Sequence, residues 1–318
     1  MIPELKGKGL FVFSDPGGAK PVLALLKLNL DLKDYLVVSD REYDFFSDFN
    51  IPITSYTTGC EVHILKRFSP DFIFCGTSYT SSIELDFLSE AKKFNIPSFA
   101  FVDHYTNFLN RFELNGKMVY PDTICVVDSK AHSIIMGFHT PSIVIVTSNF
   151  YHVYLKGWKP PVSKDIFFTK NNIPKKNKLI VFAPEPLSNV GGKDFYGLDE
   201  FSVFRNIIKS LKNFCTDNIS IVIKAHPNQK KDLFENIKLP ESFHVISGEN
   251  LHVNTLIYHA DVVIGIFSNI LIEAAILETK VIRCLIGLKK EDPFSHFQIG
   301  KVANSESELA LLIKKNIS

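Results

Sequence analysis

An excess of charge of either sign is missing from this 318-residue chain: Lys and Arg number 35 against 34 Asp and Glu, a formal net charge of +1. That balance leaves no broad basic face and argues against nucleic acid as the partner, although a local pocket for one or two phosphates remains open. Cysteine is sparse as well. Cys60, Cys75, Cys125, Cys215 and Cys284 are odd in number, scattered and without a CxxC pair, which removes a disulfide framework and fits reduced thiols in a cytosolic protein. Long apolar runs are absent. Leu10 to Phe13 is too short for a signal-peptide core, and the most apolar long window, 260–277, carries Asp261, Ser268, Asn269 and Glu273, which a membrane span would not. These absences lead us to expect a cytoplasmic protein, with peripheral association at the inner face of the membrane left open. No metal site is expected either. His132/His139 and His252/His259 are spaced by seven with no carboxylate or cysteine framework around them.

What is present is a hydrophobic content of 46% arranged in short apolar runs. A chain of this length predicts two domains of roughly 150 residues each. Strand-like runs at 9–14, 35–39, 51–55, 72–76, 98–102, 121–127 and 141–147 alternate with helix-like stretches at 21–30, 61–68, 81–94 and 129–137. Continuously apolar strands separated by helices imply parallel pairing in a sheet covered on both faces. The stretch 156–177, with Gly157, Pro160, Pro161 and Pro174, reads as a linker. The alternation then restarts, with strands at 179–183, 219–224, 243–246, 261–265 and, last, 280–284, and helices at 199–214, 231–237, 254–259, 269–277 and 306–316. The expected architecture is α/β: two Rossmann-like doubly wound domains, 1–155 and 178–318, facing across a cleft. Open sheets of this kind hold ligands beyond the carboxyl ends of their strands, so the loops after strands are where chemistry is sought.

Two such loops stand out in the second half. Ile221-Val222-Ile223-Lys224-Ala225-His226-Pro227 runs an apolar strand into an imidazole, where Pro227 stops the strand and fixes the backbone. An imidazole there can donate to a phosphate oxygen. About forty residues on, Ala260-Asp261-Val262-Val263-Ile264-Gly265-Ile266-Phe267-Ser268-Asn269 is a strand, a glycine-containing loop and a helix start. Backbone N–H groups and the helix dipole attract anions at such a start. Glu273 follows within the helix, in reach of a ribose hydroxyl.

The order Lys-x-His-Pro, then Ala-Asp-Val-Val-Ile-Gly-x-x-Ser-Asn-x-x-x-Glu-Ala, resembles the donor domain of GT-B glycosyltransferases. It is most similar to bacterial sialyltransferase-like enzymes and to capsule or lipopolysaccharide sugar transferases, with the UDP-N-acetylglucosamine 2-epimerases as relatives. The resemblance implies that His226 and Ser268 grip the donor phosphate with help from Lys224, Pro227, Gly265 and Asn269, and that Glu273 binds ribose. Asn269 stands where those families carry Ser or Thr. Glu185, and Ser188 beyond it, lie in a loop that touches the nucleotide in such folds. No Asp-x-Asp sequence occurs, so the metal-dependent GT-A alternative lacks its signature. No cofactor is expected beyond a nucleotide-sugar co-substrate.

The first half would then hold the acceptor and a base. Ser14-Asp15-Pro16-Gly17-Gly18 follows the first strand, with two glycines that permit close backbone approach and a carboxylate. It is neither GxGxxG nor a Walker loop, so nicotinamide and ATP gain no support. Gly76-Thr77-Ser78-Tyr79-Thr80 makes a polar rim after another strand, and Asp103-His104 ends the next, with Arg111 nearby to meet an anion. An inverting transfer needs one base, and Asp103, His104 and Asp15 are the three candidates. The expected activity is metal-independent transfer of a sugar from a nucleotide-sugar donor to a bacterial surface glycan or glycolipid acceptor. The alternatives are a UDP-sugar 2-epimerase or hydrolase, a CDP-glycerol-type polyol-phosphate transferase, and a non-catalytic nucleotide-sugar-binding protein.

Overall fold

The structure is a computed structural model that describes residues 5–28, 32–103, 107–212, 218–225, 229, 234, 243–248, 250–295 and 297–317. The chain forms two compact units, Met1–Gly157 and Trp158–Ser318.

Unit 1 runs through β1 (Gly7–Phe13), α1 (Pro16–Lys27), β2 (Leu32–Ser39), β3 (Thr54–Ser55), α2 (Glu61–Phe68), β4 (Phe72–Cys75), α3 (Ile83–Lys93) and β5 (Ser98–Val102). A short hairpin, β6 (Glu113–Leu114) and β7 (Lys117–Met118), precedes β8 (Thr123–Val126), α4 (Ser129–Met136), β9 (Ile143–Val146) and α5 (Phe150–Gly157). Its main sheet has the order β3-β2-β1-β4-β5-β8-β9. Every pair in it is parallel, as the continuous apolar runs predict. Side chains alternate between the faces. Leu10, Val12, Ile73, Ala100, Val102, Ile124 and Val126 pack with Phe87, Leu88 and Ala91 of α3. The other face is aromatic, with Phe150 of α5 against both Phe74 and Phe101.

Strand order reverses between β1 and β4, and there the backbones come close. A Cβ added to Gly18 would lie 2.9 Å from the Thr77 nitrogen, and one added to Gly76 would lie 2.8 Å from the Gly18 Cα. Only glycine lets α1 start this close to the end of β4.

Unit 2 contains α6 (Lys164–Lys170), β10 (Lys178–Ala183), α7 (Gly192–Tyr196), α8 (Glu200–Lys212), β11 (Ile219–Ile223), β12 (Phe243–Ser247), α9 (Val253–His259), β13 (Val262–Gly265), α10 (Asn269–Ile276), β14 (Val281–Cys284), β15 (Lys301–Ala303) and α11 (Glu306–Ile317). The sheet order is β12-β11-β10-β13-β14-β15, again with every pair parallel. Phe204, Ile207 and Leu211 of α8 and Leu309 and Ile313 of α11 cover Ile180, Phe182, Ile221, Ile264 and Ile282. The order reverses between β10 and β13.

The sequence reading differs from this fold in two places within unit 2. The stretch 156–177 holds the helix α6, capped by the Ser163 side chain. Its Phe167 ring meets His259, whose Nε2 bonds the Val162 carbonyl at 3.0 Å. The strand 280–284 is not the last, because β15 pairs beside it. Three residues, two of them exposed, give too little periodicity to read. The helix expected at 231–237 lies, Phe234 apart, outside the described residues.

Candidate functional site

Each unit reverses its strand order once, and in each unit hydrogen bonds tie down the loops near that point. In unit 1 the network begins at Asp15, the residue before α1. An Asp in that position ordinarily caps its own helix, but the Asp15 side chain does not. Its carboxylate accepts instead from the Tyr79 N–H at 2.9 Å, the Thr80 hydroxyl at 2.7 Å and Arg41 Nη1 at 2.6 Å. The Asp15 N–H donates to Ser78 Oγ at 2.9 Å. Thr77 and Ser78, expected on an open rim, are buried and bonded inward. Thr77 donates its hydroxyl to the Phe101 carbonyl at 3.0 Å.

Arg111 joins the next loop. Its Nη1 donates to the Thr77 carbonyl, to Thr77 Oγ1 and to Asp103 Oδ1, each at 3.0 Å. The other Asp103 oxygen lies over Gly17, where an added Cβ would overlap it. Asp103 and Arg111 are both largely buried, at 13% and 12% side-chain exposure, so their charges attract with little screening by water. Asp15, Gly17, Gly18, Thr77, Ser78, Asp103 and Arg111 thus come together at the carboxyl ends of β1, β4 and β5. His104 lies outside the described residues.

Beneath them sits Glu84, which sequence reasoning missed. It is 2% exposed, and its Oε1 accepts the Ser14 N–H at 3.0 Å and the Ser78 hydroxyl. Burial pushes its carboxyl up to about 7, offset in part by the bonds from Ser78 and Ser14. A signal was available. Glu84, Leu88 and Ala91 fall on one stripe of α3, and all three are buried, so a carboxyl occupies an apolar stripe. Arg41, just past β2, carries no comparable signal in the sequence.

In unit 2, Glu185 follows β10 and its Oε2 accepts the Phe267 N–H at 2.8 Å in the loop after β13. Burial raises its carboxyl to about 7, with the nearby Glu200 adding and Arg283 opposing. Gly265 ends β13 where a Cβ would lie 2.8 Å from the Ala183 carbonyl. Ser268 is the N-cap of α10 and accepts the Ile270 N–H. Asn269 beside it is exposed, and Glu273, one turn on, is buried at 4%. Lys224 donates to the Gly248 and Leu251 carbonyls at 2.8 and 3.1 Å. Ser188 bonds Glu200 through both its N–H and its hydroxyl. His226 and Pro227 lie outside the described residues.

With this geometry in place, comparison with known proteins assigns the family. A family model described as "Protein of unknown function (DUF354)" matches residues 82–300. The chain belongs to the DUF354 family. No curated protein sequence matches it. Among solved structures, this DUF354 chain is similar to the UDP-GlcNAc 2-epimerase of Neisseria meningitidis bound to UDP-GlcNAc. That match has a TM-score of 0.62 and 15% identity, and covers 97% of this chain and 91% of that one. The UDP-GlcNAc 2-epimerase of Methanocaldococcus jannaschii matches with a TM-score of 0.63 at 14% identity over 96% and 92% of the two chains. The glycotransferase of kitacinnamycin gives a TM-score of 0.50 at 9% identity over 100% and 92%. At such identities the likeness speaks for the fold. It is the GT-B fold, built from two Rossmann-like units.

Proposed function

We propose that this DUF354 protein is an enzyme of nucleotide-sugar chemistry: a metal-independent glycosyltransferase that moves a sugar from a nucleotide donor to a glycan or glycolipid acceptor. The observation that carries this reading is the pair of bonded strand-end networks, one in each unit, at the point where open α/β sheets take ligands. The Neisseria and kitacinnamycin proteins, with the same fold, act on nucleotide sugars or transfer glycosyl groups by their names, which supports it.

In this reading unit 2 binds the donor. Ser268, Asn269 and the α10 start accept the phosphate, as does His226, whose backbone Pro227 fixes, and Glu273 takes the ribose. Glu185 presents its carboxyl beside the same loop. Such donors stabilise charge that develops on the departing nucleotide. Lys224 acts by fixing the loop after β12. Unit 1 supplies the base, and Asp103 fits that role best among the three candidates. Both Asp15 oxygens already accept bonds from Arg41, Thr80 and the Tyr79 N–H. Asp103 has one oxygen on Arg111 and the other against Gly17. Asp103 would take the acceptor hydroxyl proton as that oxygen attacks the sugar. Among the described residues no three His, Cys, Asp or Glu side chains gather as metal ligands, and no helix formed by them is long and apolar enough to cross a membrane. Peripheral contact with a membrane-bound acceptor belongs to the proposal.

A second reading is a UDP-sugar 2-epimerase or hydrolase, which the epimerase neighbours favour. Product analysis separates the two. Incubation with a nucleotide sugar, followed by NMR, yields an epimer or free sugar without acceptor in the second reading. In the first, turnover requires an acceptor. Loss of donor turnover in His226→Ala with the fold intact is expected in both, and an unaltered rate would remove His226 from the site.

A further inference from the structure

We propose that Glu84 is the positioning residue of the unit 1 site, holding the loops after β1 and β4 together so that Asp103 is presented to the acceptor. This rests on the reading of Asp103 as base. The geometry supplies the connection. Glu84 enters from the first turn of α3 and reaches two loops with one oxygen, taking the Ser14 N–H and the Ser78 hydroxyl. Ser78 in turn accepts the Asp15 N–H at 2.9 Å. Its neighbour Thr77 carries Arg111, and Arg111 holds Asp103. A single buried carboxyl therefore underlies both networks.

Packing does not account for a glutamate here. Leu or Ala at this position would complete the apolar stripe of α3, whereas a carboxyl in such surroundings is costly to bury. Three atoms remain unmatched in these networks: Glu84 Oε2, Ser14 Oγ and Arg111 Nε are buried and make no hydrogen bond. What the carboxyl contributes is the tie between two backbones that belong to different strands.

The tie depends on protonation. Among the described residues, the titratable groups that face Glu84 are Asp15, from the loop after β1, and the Cys75 thiol, at the end of β4. Arg41 and Arg111 are committed to Asp15 and Asp103. Protonated, Glu84 sits in its pocket as a neutral acceptor. Ionised, it is a buried anion near the Asp15 carboxylate, and an opened arrangement in which water reaches it gains population by linkage. Loosening these loops releases Thr77 and, through Arg111, Asp103.

Amide hydrogen exchange on the full chain tests this without any substrate. Protection of Ser14, Asp15 and Tyr79, corrected for the intrinsic pH dependence of exchange, is followed from pH 5 to pH 8. The wild type is compared with Glu84→Gln, which keeps an acceptor oxygen and cannot ionise. In the wild type, protection at these three amides is expected to fall by about 50- to 100-fold, and in Glu84→Gln to stay level. Equal pH dependence in the two proteins overturns the proposal. Where donor turnover has been established, kcat should lose its alkaline decline in Glu84→Gln with the donor KM unchanged. Matching pH profiles for kcat also overturn the proposal. Absence of turnover in both proteins counts against the glycosyltransferase reading, while the exchange result still decides whether Glu84 ties the loops.

Discussion

The carboxylate of Glu185 accepts the Phe267 backbone N–H at 2.8 Å, joining the loop after β10 to the loop after β13. Glu84 does the same in unit 1 through the Ser14 N–H at 3.0 Å. Each unit thus has a carboxyl, raised to about 7 by burial, at its own strand reversal. A parallel sheet leaves the N–H groups of its outgoing loops without ladder partners, and a glutamate placed there satisfies one of them.

The first prediction concerns pH. The folded-state value of Glu185, about 7, lies above the ordinary range of a glutamate in an unfolded chain, about 4.3. The native state therefore holds the proton more tightly. Stability is greatest at low pH for this group, falls as pH rises from about 4.3 towards 7, and levels off above that. The loss amounts to about 4 kcal/mol at most. Glu185→Gln should remove it, so that Tm measured against pH falls less steeply in the variant across this window. Parallel curves would show that Glu185 does not carry the effect.

The second prediction separates two adjacent glycines. A Cβ at Gly18 would meet backbone at 2.9 Å, that of Thr77, which cannot yield cheaply. A Cβ at Gly17 meets only the end of the Asp103 side chain, which can rotate away. Gly18→Ala should cost about 2 kcal/mol or more in urea unfolding. Gly17→Ala should be milder in stability yet should displace the carboxylate and lower turnover at least tenfold. Equal stability losses in the two variants would contradict the assigned contacts.

Arg111 gives the third. It neutralises a largely buried Asp103, and removing one member of such a pair strands the other charge. Arg111→Ala should cost about 3 kcal/mol, and the double variant Arg111→Ala/Asp103→Asn should recover part of that loss. Urea unfolding of the four proteins in the cycle measures the coupling. Strict additivity would mean that the pair is energetically idle.

Much of this molecule is legible in its sequence, for identifiable reasons. The strands at 72–76 and 98–102 are short apolar runs between turn residues, and β4 and β5 fall within them. The helix at 81–94 announces itself by Ile83, Phe87, Leu88 and Ala91, and α3 follows that stripe. The strand-end loops carrying Asp15, Thr77, Asp103 and Ser268 are marked by their polar residues after apolar runs. What escapes is information held between segments. Arg41 is an ordinary exposed-looking arginine until β2 sets it beside Asp15, 26 residues away in sequence. Glu84 passes for an acidic residue in a helix first turn, and only its stripe position hints that it points inward. Helix α6 hides in a proline-rich stretch because its seven residues gain their stability from Phe167 and Phe168 packing in unit 2, not from local propensity.

Binding of a nucleotide sugar by this GT-B chain can be measured by thermal shift of the full chain against UDP, CMP, CDP and GDP. One nucleotide should raise Tm selectively, with stabilisation of about 2.7 kcal/mol at a hundredfold excess over Kd, and the rise should be lost in Ser268→Pro/Glu273→Ala. A flat response to all four nucleotides, at concentrations up to the millimolar range, would contradict the account.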